Sequence, residues 1–579
     1  MNLSIEVYVM TRLQIPVLLI VLLFLPHYVL AEMSGILFRT HLTPEAAAEL
    51  RRFDHEVPVT GRAFVIISRE GEREPRLQVH VTGPQLFGKN VRDVKPEHPI
   101  EFQDGGGEMT GYPHKKFIGL EPGYYYVQTF LTIYTTFERS DGHIVDLFHD
   151  TGAGGPQRMF AGPGNVHSDV QRIYIDPSED NVYTLELKNV IPPLQPVKEE
   201  KVLQQGNPRD TDWVKYVKIK SDLLTEFWGK PMYIGANVLL PKGYNEAPDN
   251  EYPVIFHMGH FPGERAPLRF REGAEGSART KGLYDFWVSE DAPRFIAVSI
   301  RDANPYFGTS YSVNSKNVGP YGDAITEELI PYLEEKFRMI GEPWARVLAG
   351  GSTGGWEALA LQVWYPEFFG GTWSWCPDPV DFNHYQLVNI YEDDNAYYKK
   401  RNWIKTERPS NRSVDGNINY TIKQELHWER ALGTNSRSGR QWAIWEAVFS
   451  PVGADGYPAP IWDPVTGEID TSVAEYWREH YDIHHYLKEN WETVGELLQG
   501  KIHIATGDMD NYYLELAVYL LEDFLNEADN PPANAVVEYG RRQTHCWIGE
   551  SPERPGEELT HAEFIRLVAD YMKDRAQYD

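Results

Sequence analysis

VLAGGSTGGWEALAL, residues 347–361, runs a short apolar strand (Val347, Leu348, Ala349) through Gly350-Gly351-Ser352-Thr353-Gly354-Gly355 and straight into a helix. Four glycines around one serine are costly, because glycine loses more backbone freedom on folding than any other residue. A connection that only turned the chain would need one small residue or two. Gly350-x-Ser352-x-Gly354 matches G-x-S-x-G, the nucleophile elbow, in which a strained turn exposes the serine hydroxyl and the glycines let strand and helix pack closely. The plainer alternatives are a Gly-rich turn or a loop that cradles phosphate at the helix N-terminus. No lysine follows the glycines, which excludes a Walker loop. The motif alone leaves the choice open, so the rest of the chain must supply a base and an acid.

Around this stretch, from about Asp212 onward, apolar runs alternate with helical patterns, which predicts a mostly parallel α/β sheet. Candidate strands are YIGANVLLP (233–241), YPVIFHMG (252–259), RFIAVSI (294–300), RVLAG (346–350), GTWSWC (371–376), KIHIATG (501–507) and NAVVEYG (534–540). In YGDAITEELIPYLEEKF (321–337) the apolar residues Ile325, Leu329, Ile330, Leu333 and Phe337 recur at helical spacing. Ser352 therefore follows a central strand and precedes a helix, the context the elbow requires.

In α/β hydrolases the acid and then the histidine follow the serine, each beyond a strand. The last candidate strand runs into RRQTHCW, placing His545 in the loop after it, and KIHIATG ends in DMDNYYLE, offering Asp508 and Asp510. Histidine takes the serine proton as general base, while the carboxylate holds its tautomer and stabilises the imidazolium. A loop histidine is usually a surface residue, and an aspartate after a strand often only caps a helix. Three such residues in the right order and context make a triad the better reading.

Together YPVIFHMGHF, NVGPYGDAITEELIPYLEEKF, LAGGSTGGWEALAL, ATGDMDNYYL and GRRQTHCW resemble the putative-esterase family of α/β hydrolases, which includes enterochelin-esterase-like proteins, S-formylglutathione hydrolases and feruloyl or acetylxylan esterases. The resemblance runs from about Tyr233 to the C-terminus, apart from a long insertion. It implies an α/β-hydrolase fold and a serine esterase working through an acyl-enzyme, with Ser352 as nucleophile, His545 as base and no cofactor. The family's G-x-x-D-x-(F/Y) pattern falls on Gly507, Asp510 and Tyr512, which favours Asp510 over Asp508 as the acid; its aromatic two residues past the histidine is Trp547 here. The oxyanion donors implied are the Thr353 amide and an amide near Gly259 and His260. The family's H-G reads His257-Met258-Gly259-His260-Phe261 at this point, a departure.

The stretch before the hydrolase pattern, residues 32–195, reads as a β-sandwich: GRAFVIISRE, PRLQVHVTG, GYYYVQTFLTIYTTF, VQRIYIDPS and VYTLELKNVIPP are short strands between Gly, Pro and Asp turns. One helix, Pro44 to Phe53, carries Thr43 as its N-cap. It resembles the β-domain that precedes the catalytic domain in enterochelin-esterase-like members. The Pro-rich and charged segment 191–210 suits a linker into the catalytic domain, 196–579. Within that domain residues 380–500 are a cap-like insertion dense in aromatics, among them Tyr385, Tyr391, Tyr397, Tyr398, Trp403, Trp428, Trp442, Trp445, Trp462 and Trp477. Most are expected to form the insertion's own core, and a few to face an aromatic or sugar-like ester. The acidic run Glu392-Asp393-Asp394, with Asp381 nearby, has the chemistry of a hard-cation site but reads better as a solvated face, and no metal is expected.

Net charge is −29 over 579 residues, which argues against nucleic acid or an anionic membrane surface as partner; a small-molecule or glycan ester is expected instead. Arg12, the apolar run LQIPVLLIVLLFL and the small-residue site Val29-x-Ala31 read as a signal peptide over 1–31. Periplasmic or secreted localisation follows, with no lasting membrane span. In such a compartment the two cysteines, Cys376 after the strand following the elbow and Cys546 beside His545, are a candidate disulfide; two free thiols are the alternative. A peptidase on the same triad, or a carbohydrate- or siderophore-binding protein with a vestigial hydrolase domain, are the competing readings.

Overall fold

A computed structural model describes residues 33–53, 55–148, 155–192, 204–206, 208–259, 266–273 and 278–576. The segment read as a signal peptide and much of the expected linker lie outside these residues. No helix among them is long and apolar enough to cross a membrane.

Eight strands form the sheet that carries Ser352. Their spatial order is Val214–Ser221, Met232–Leu239, Ile296–Arg301, Val254–Met258, Arg346–Gly351, Gly371–Trp375, Ile502–Gly507 and Val536–Gly540. The first two junctions are antiparallel and the rest parallel. The inner parallel strands are buried on both faces, hence their nearly unbroken apolar runs. The helix read over 321–337 is present but contains a π-helical turn, Ala324–Leu329, before Ile330–Phe337.

The N-terminal unit has two sheets, one of three strands and one of eight. They close over a shared core in which Phe38, Phe102 and Leu185 from the smaller meet Phe87, Val127 and Leu131 from the larger. The helix Pro44–Arg52 starts where expected, with Thr43 Oγ1 accepting from the Ala46 amide at 3.2 Å. One reading needs correction. The segment 75–83 is a 3₁₀ turn, Pro75–Leu77, followed by further turns, not a strand. The Arg76 side chain folds back onto Glu74 and the Phe160 carbonyl. The aromatics of the strand Gly123–Glu138 are mostly interior: Tyr125, Phe130, Tyr134 and Phe137 are buried, and Tyr124 is the exposed one.

The two halves are not cleanly separate. Phe137, Val145 and Leu147 from the N-terminal unit pack into the main core against Trp228 and its neighbours. A second junction is polar. Arg62, fully buried, donates from Nη2 to the carbonyls of Arg430 (3.3 Å) and Ala431 (3.0 Å), the last turn of the helix Ile422–Leu432. A cation there satisfies carbonyls that have no partner within the helix and complements the helix dipole. Burial is strong enough to lower the Arg62 pKa to about 10. Arg62→Ala should therefore cost about 2–4 kcal/mol, from orphaned carbonyls and a cavity. Urea unfolding measures it, and a loss below about 1 kcal/mol would mean the junction is held elsewhere.

Residues 377–500 fill the space between the strands Gly371–Trp375 and Ile502–Gly507 with two hairpins and the helices Ile422–Leu432, Gln441–Phe449, Thr471–Tyr481 and Ile483–Leu498. Tyr385, Trp442, Trp445, Trp462 and Trp477 make edge-on and tilted contacts at 5.0–5.9 Å within it. This cluster is continuous with the core of the main sheet. Trp403, by contrast, is 89 % exposed on a hairpin tip.

Candidate active site

Ser352 follows the strand Arg346–Gly351 and precedes the helix Thr353–Trp364. Its φ of 60° and ψ of −126° are rare for a residue with a side chain, and such strain gathers at functional sites. The flanking glycines make the turn possible. A Cβ on Gly350 would lie 2.4 Å from the Gly354 carbonyl oxygen, and one on Gly354 would lie 2.5 Å from the Met258 oxygen. The Ser352 amide donates to the Trp375 carbonyl at 3.0 Å, tying the turn to the next strand.

Asp510 and His545 come together from successive strand ends. His545 Nδ1 lies 2.7 Å from Asp510 Oδ2, and Asp510 is wholly buried. The Asp510 carboxylate is fixed by the Tyr512 amide, which donates to Oδ1 at 2.8 Å. The His545 backbone amide donates to Asn511 Oδ1 at 3.1 Å, and the imidazole packs edge-on against the Tyr512 ring at 5.1 Å. Asp508 is placed differently: it accepts from the Arg542 amide and so braces the turn that leads to the histidine.

Ser352 and His545 line one pocket of about 790 Å³. Trp428, Trp442 and Trp445 of the insertion form part of its wall, with Gln386, Gln441 and Glu425 as polar groups among them. Of the oxyanion donors expected, Thr353 opens the helix after the serine. The Gly259 amide bonds the buried Glu357 carboxyl. His260 lies outside the described residues.

One pocket residue went unnoticed in the sequence. Asp378 Oδ1 is 3.5 Å from Ser352 Oγ, while its Oδ2 accepts from Tyr311 OH (2.6 Å), Thr353 Oγ1 (2.9 Å), Gln441 Nε2 (3.2 Å) and Trp445 Nε1 (3.3 Å). Burial pushes its pKa up, against the pull of these hydrogen bonds. The available signal was an acid at a strand's C-terminal end, three residues past Trp375, but CPDP also reads as an ordinary turn.

Cys376 and Cys546 are free thiols. The candidate disulfide is not formed; the two sulfurs instead lie within 4.8 Å of each other and hydrogen-bond. Both sit beneath the elbow, where a Cβ on Gly351 would meet Cys546 Sγ at 3.3 Å. Asp393 of the acidic run pairs with Arg408 at 2.7 Å, and Asp381 with His484 at 2.5 Å.

Burial alone would lower the His545 pKa, but the charges of Asp510 and Cys546 outweigh it and hold the imidazolium well above the usual histidine range. A general base must be neutral. In chelator-treated protein kcat/KM should therefore fall with decreasing pH from a point above about 6.5, the ordinary histidine value. Cys546→Ser should move that acid limb to lower pH, and an unmoved limb would show that the thiol does not act on the imidazole.

Residues 231–422 match the family described as putative esterase. This segment holds Ser352 and ends before Asp510 and His545 in sequence. A curated relative, an endo-1,4-beta-xylanase/feruloyl esterase of Xylanibacter ruminicola, is 27 % identical over 139 residues, which is 23 % of this chain and 18 % of that protein. The chain thus spans less than a fifth of that relative's length. Among solved structures, a ferulic acid esterase aligns at 17 % identity with a TM-score of 0.34, covering 58 % of this chain and 92 % of that one. An S-formylglutathione hydrolase from Agrobacterium tumefaciens aligns at 12 % identity and a TM-score of 0.29, covering 64 % and 96 %.

Proposed function

We propose that the esterase domain hydrolyses carboxylic esters through a Ser352–His545–Asp510 triad on an α/β-hydrolase fold. The observation that carries this reading is the strained Ser352 at the head of a helix, sharing one pocket with a histidine bonded to a buried carboxylate. Ser352 Oγ attacks the ester carbonyl as His545 takes its proton. The tetrahedral oxyanion is met by the Thr353 amide and a second amide near Gly259 and His260. His545 then protonates the leaving alcohol, and water repeats the sequence on the acyl-enzyme. Asp510 keeps the imidazole oriented throughout.

On this reading the N-terminal sheets form a β-sandwich in the manner of enterochelin-esterase-like proteins, residues 377–500 cap the site, and the enzyme works in the periplasm or outside the cell. The tryptophan-lined pocket suits an ester with a bulky aromatic or glycosyl part, in keeping with relatives named as feruloyl esterases. The test is a panel of acetyl, feruloyl and siderophore esters, together with labelling by a fluorophosphonate. Hydrolysis of at least one ester, with the label on Ser352, supports the proposal. A folded protein that neither reacts with the probe nor turns over any ester overturns it.

A further inference from the structure

Beneath the elbow, Cys376 Sγ, Cys546 Sγ and an imidazole nitrogen of His545 all lie within 4.8 Å of one another, the one such group of metal-capable side chains among the described residues. We propose that these three side chains form a binding site for a thiophilic divalent cation of the zinc class, which silences the esterase by occupying its histidine.

The donor set selects the ion. Two sulfurs and an imidazole are the ligands of zinc and its soft neighbours, whereas magnesium and calcium require oxygen. Bonds of about 2.3 Å to sulfur and 2.0–2.1 Å to nitrogen place tetrahedral ligand atoms some 3.4–3.8 Å apart. The observed spacing closes to that with side-chain shifts of about an ångström or less.

The surroundings fit as well. Metal-bound histidines commonly give their other ring nitrogen to a carboxylate, which fixes the ring and makes it a stronger ligand. Asp510 already holds Nδ1 at 2.7 Å, leaving Nε2 to ligate. Cys546 and His545 line the pocket, so an ion has a route in and a fourth, open position facing the cavity. The net charge of −29 draws cations toward the molecule. On binding, the Cys376 thiol and the ligating nitrogen of the His545 imidazolium each pass a proton to solvent as their bonds to the ion form, and Cys546 binds as the thiolate. Three protein ligands then hold the ion with one exchangeable position.

The silencing rests on the proposed triad; the binding does not. The reduced, chelator-treated full chain is titrated with cadmium chloride, followed by the ultraviolet charge-transfer band of thiolate–cadmium bonds, and with zinc chloride by calorimetry. One equivalent of either ion is expected to bind. Ser352→Ala should bind as the wild type does. Cys376→Ser and Cys546→Ser should each lose at least the roughly tenfold in affinity that even an outer-shell partner is worth. In the wild type, one equivalent of zinc should suppress ester hydrolysis, and a chelator should restore it.

Absence of the band, or a band unchanged in both cysteine variants, overturns the site. So does a protein that, as isolated, titrates no free thiol and regains none under mild reduction, since its sulfurs would be locked to each other. If the band forms but no ester is ever hydrolysed, the metal site stands and the esterase reading falls.

Discussion

Ser352→Ala is expected to lower kcat on an activated aryl ester by roughly 10⁴- to 10⁶-fold, with only the rate owed to binding and the oxyanion donors remaining. Such a loss corresponds to about 5–8 kcal/mol of transition-state stabilisation. Little of it should come from misfolding. Alanine keeps the same Cβ at φ 60°, so the turn gains no strain, and the hydroxyl gives up only one long contact, 3.5 Å to Asp378. Circular dichroism and the urea midpoint should match the wild type, and fluorophosphonate labelling should vanish. Activity within about tenfold of the wild type in a folded protein would remove the serine from the chemistry.

The second large effect separates two aspartates two residues apart. Asp510→Asn should lower kcat by roughly 10²- to 10⁴-fold. Its carboxylate faces His545 Nδ1 at 2.7 Å from a fully buried position. An amide there would turn a donor toward the ring or stabilise the wrong tautomer, leaving Nε2 unable to accept the serine proton. Asp508→Asn should cost little more than the turn it braces, because its carboxylate accepts from the Arg542 backbone while Asp510 holds the imidazole. Parallel rate measurements on the two variants decide the matter. A larger loss for Asp508 would reverse the assignment of the acid.

How much of this could be read beforehand follows from burial. Strands such as Val254–Met258 and Gly371–Trp375 lie inside a parallel sheet, and their apolar runs are unmistakable. The edge strand Val214–Ser221 was missed because its lysines, Lys215, Lys218 and Lys220, read as surface chain; charged side chains of that kind are how an edge avoids pairing with another molecule. Ser352, Asp510 and His545 could be picked out as candidates because each stands at a strand end, in an order that chemistry restricts. Asp378 was not, since its role is set by Tyr311, Gln441 and Trp445 from distant segments. The same holds for the junction at Arg62, whose partners lie more than three hundred residues away in the chain.

The aromatic cluster of residues 377–500 runs without a break into the core below the main sheet. If this segment roofs the site, as proposed, it could lift as a body only by breaking that shared core. Substrate should therefore enter and product leave through a standing doorway, and turnover should be insensitive to solvent viscosity except where diffusion itself limits it. Enzymes gated by a closing lid behave otherwise, because opening often sets their rate. Selection here would rest on what fits through the entrance, with the tryptophans of the wall acting as a template of constant shape.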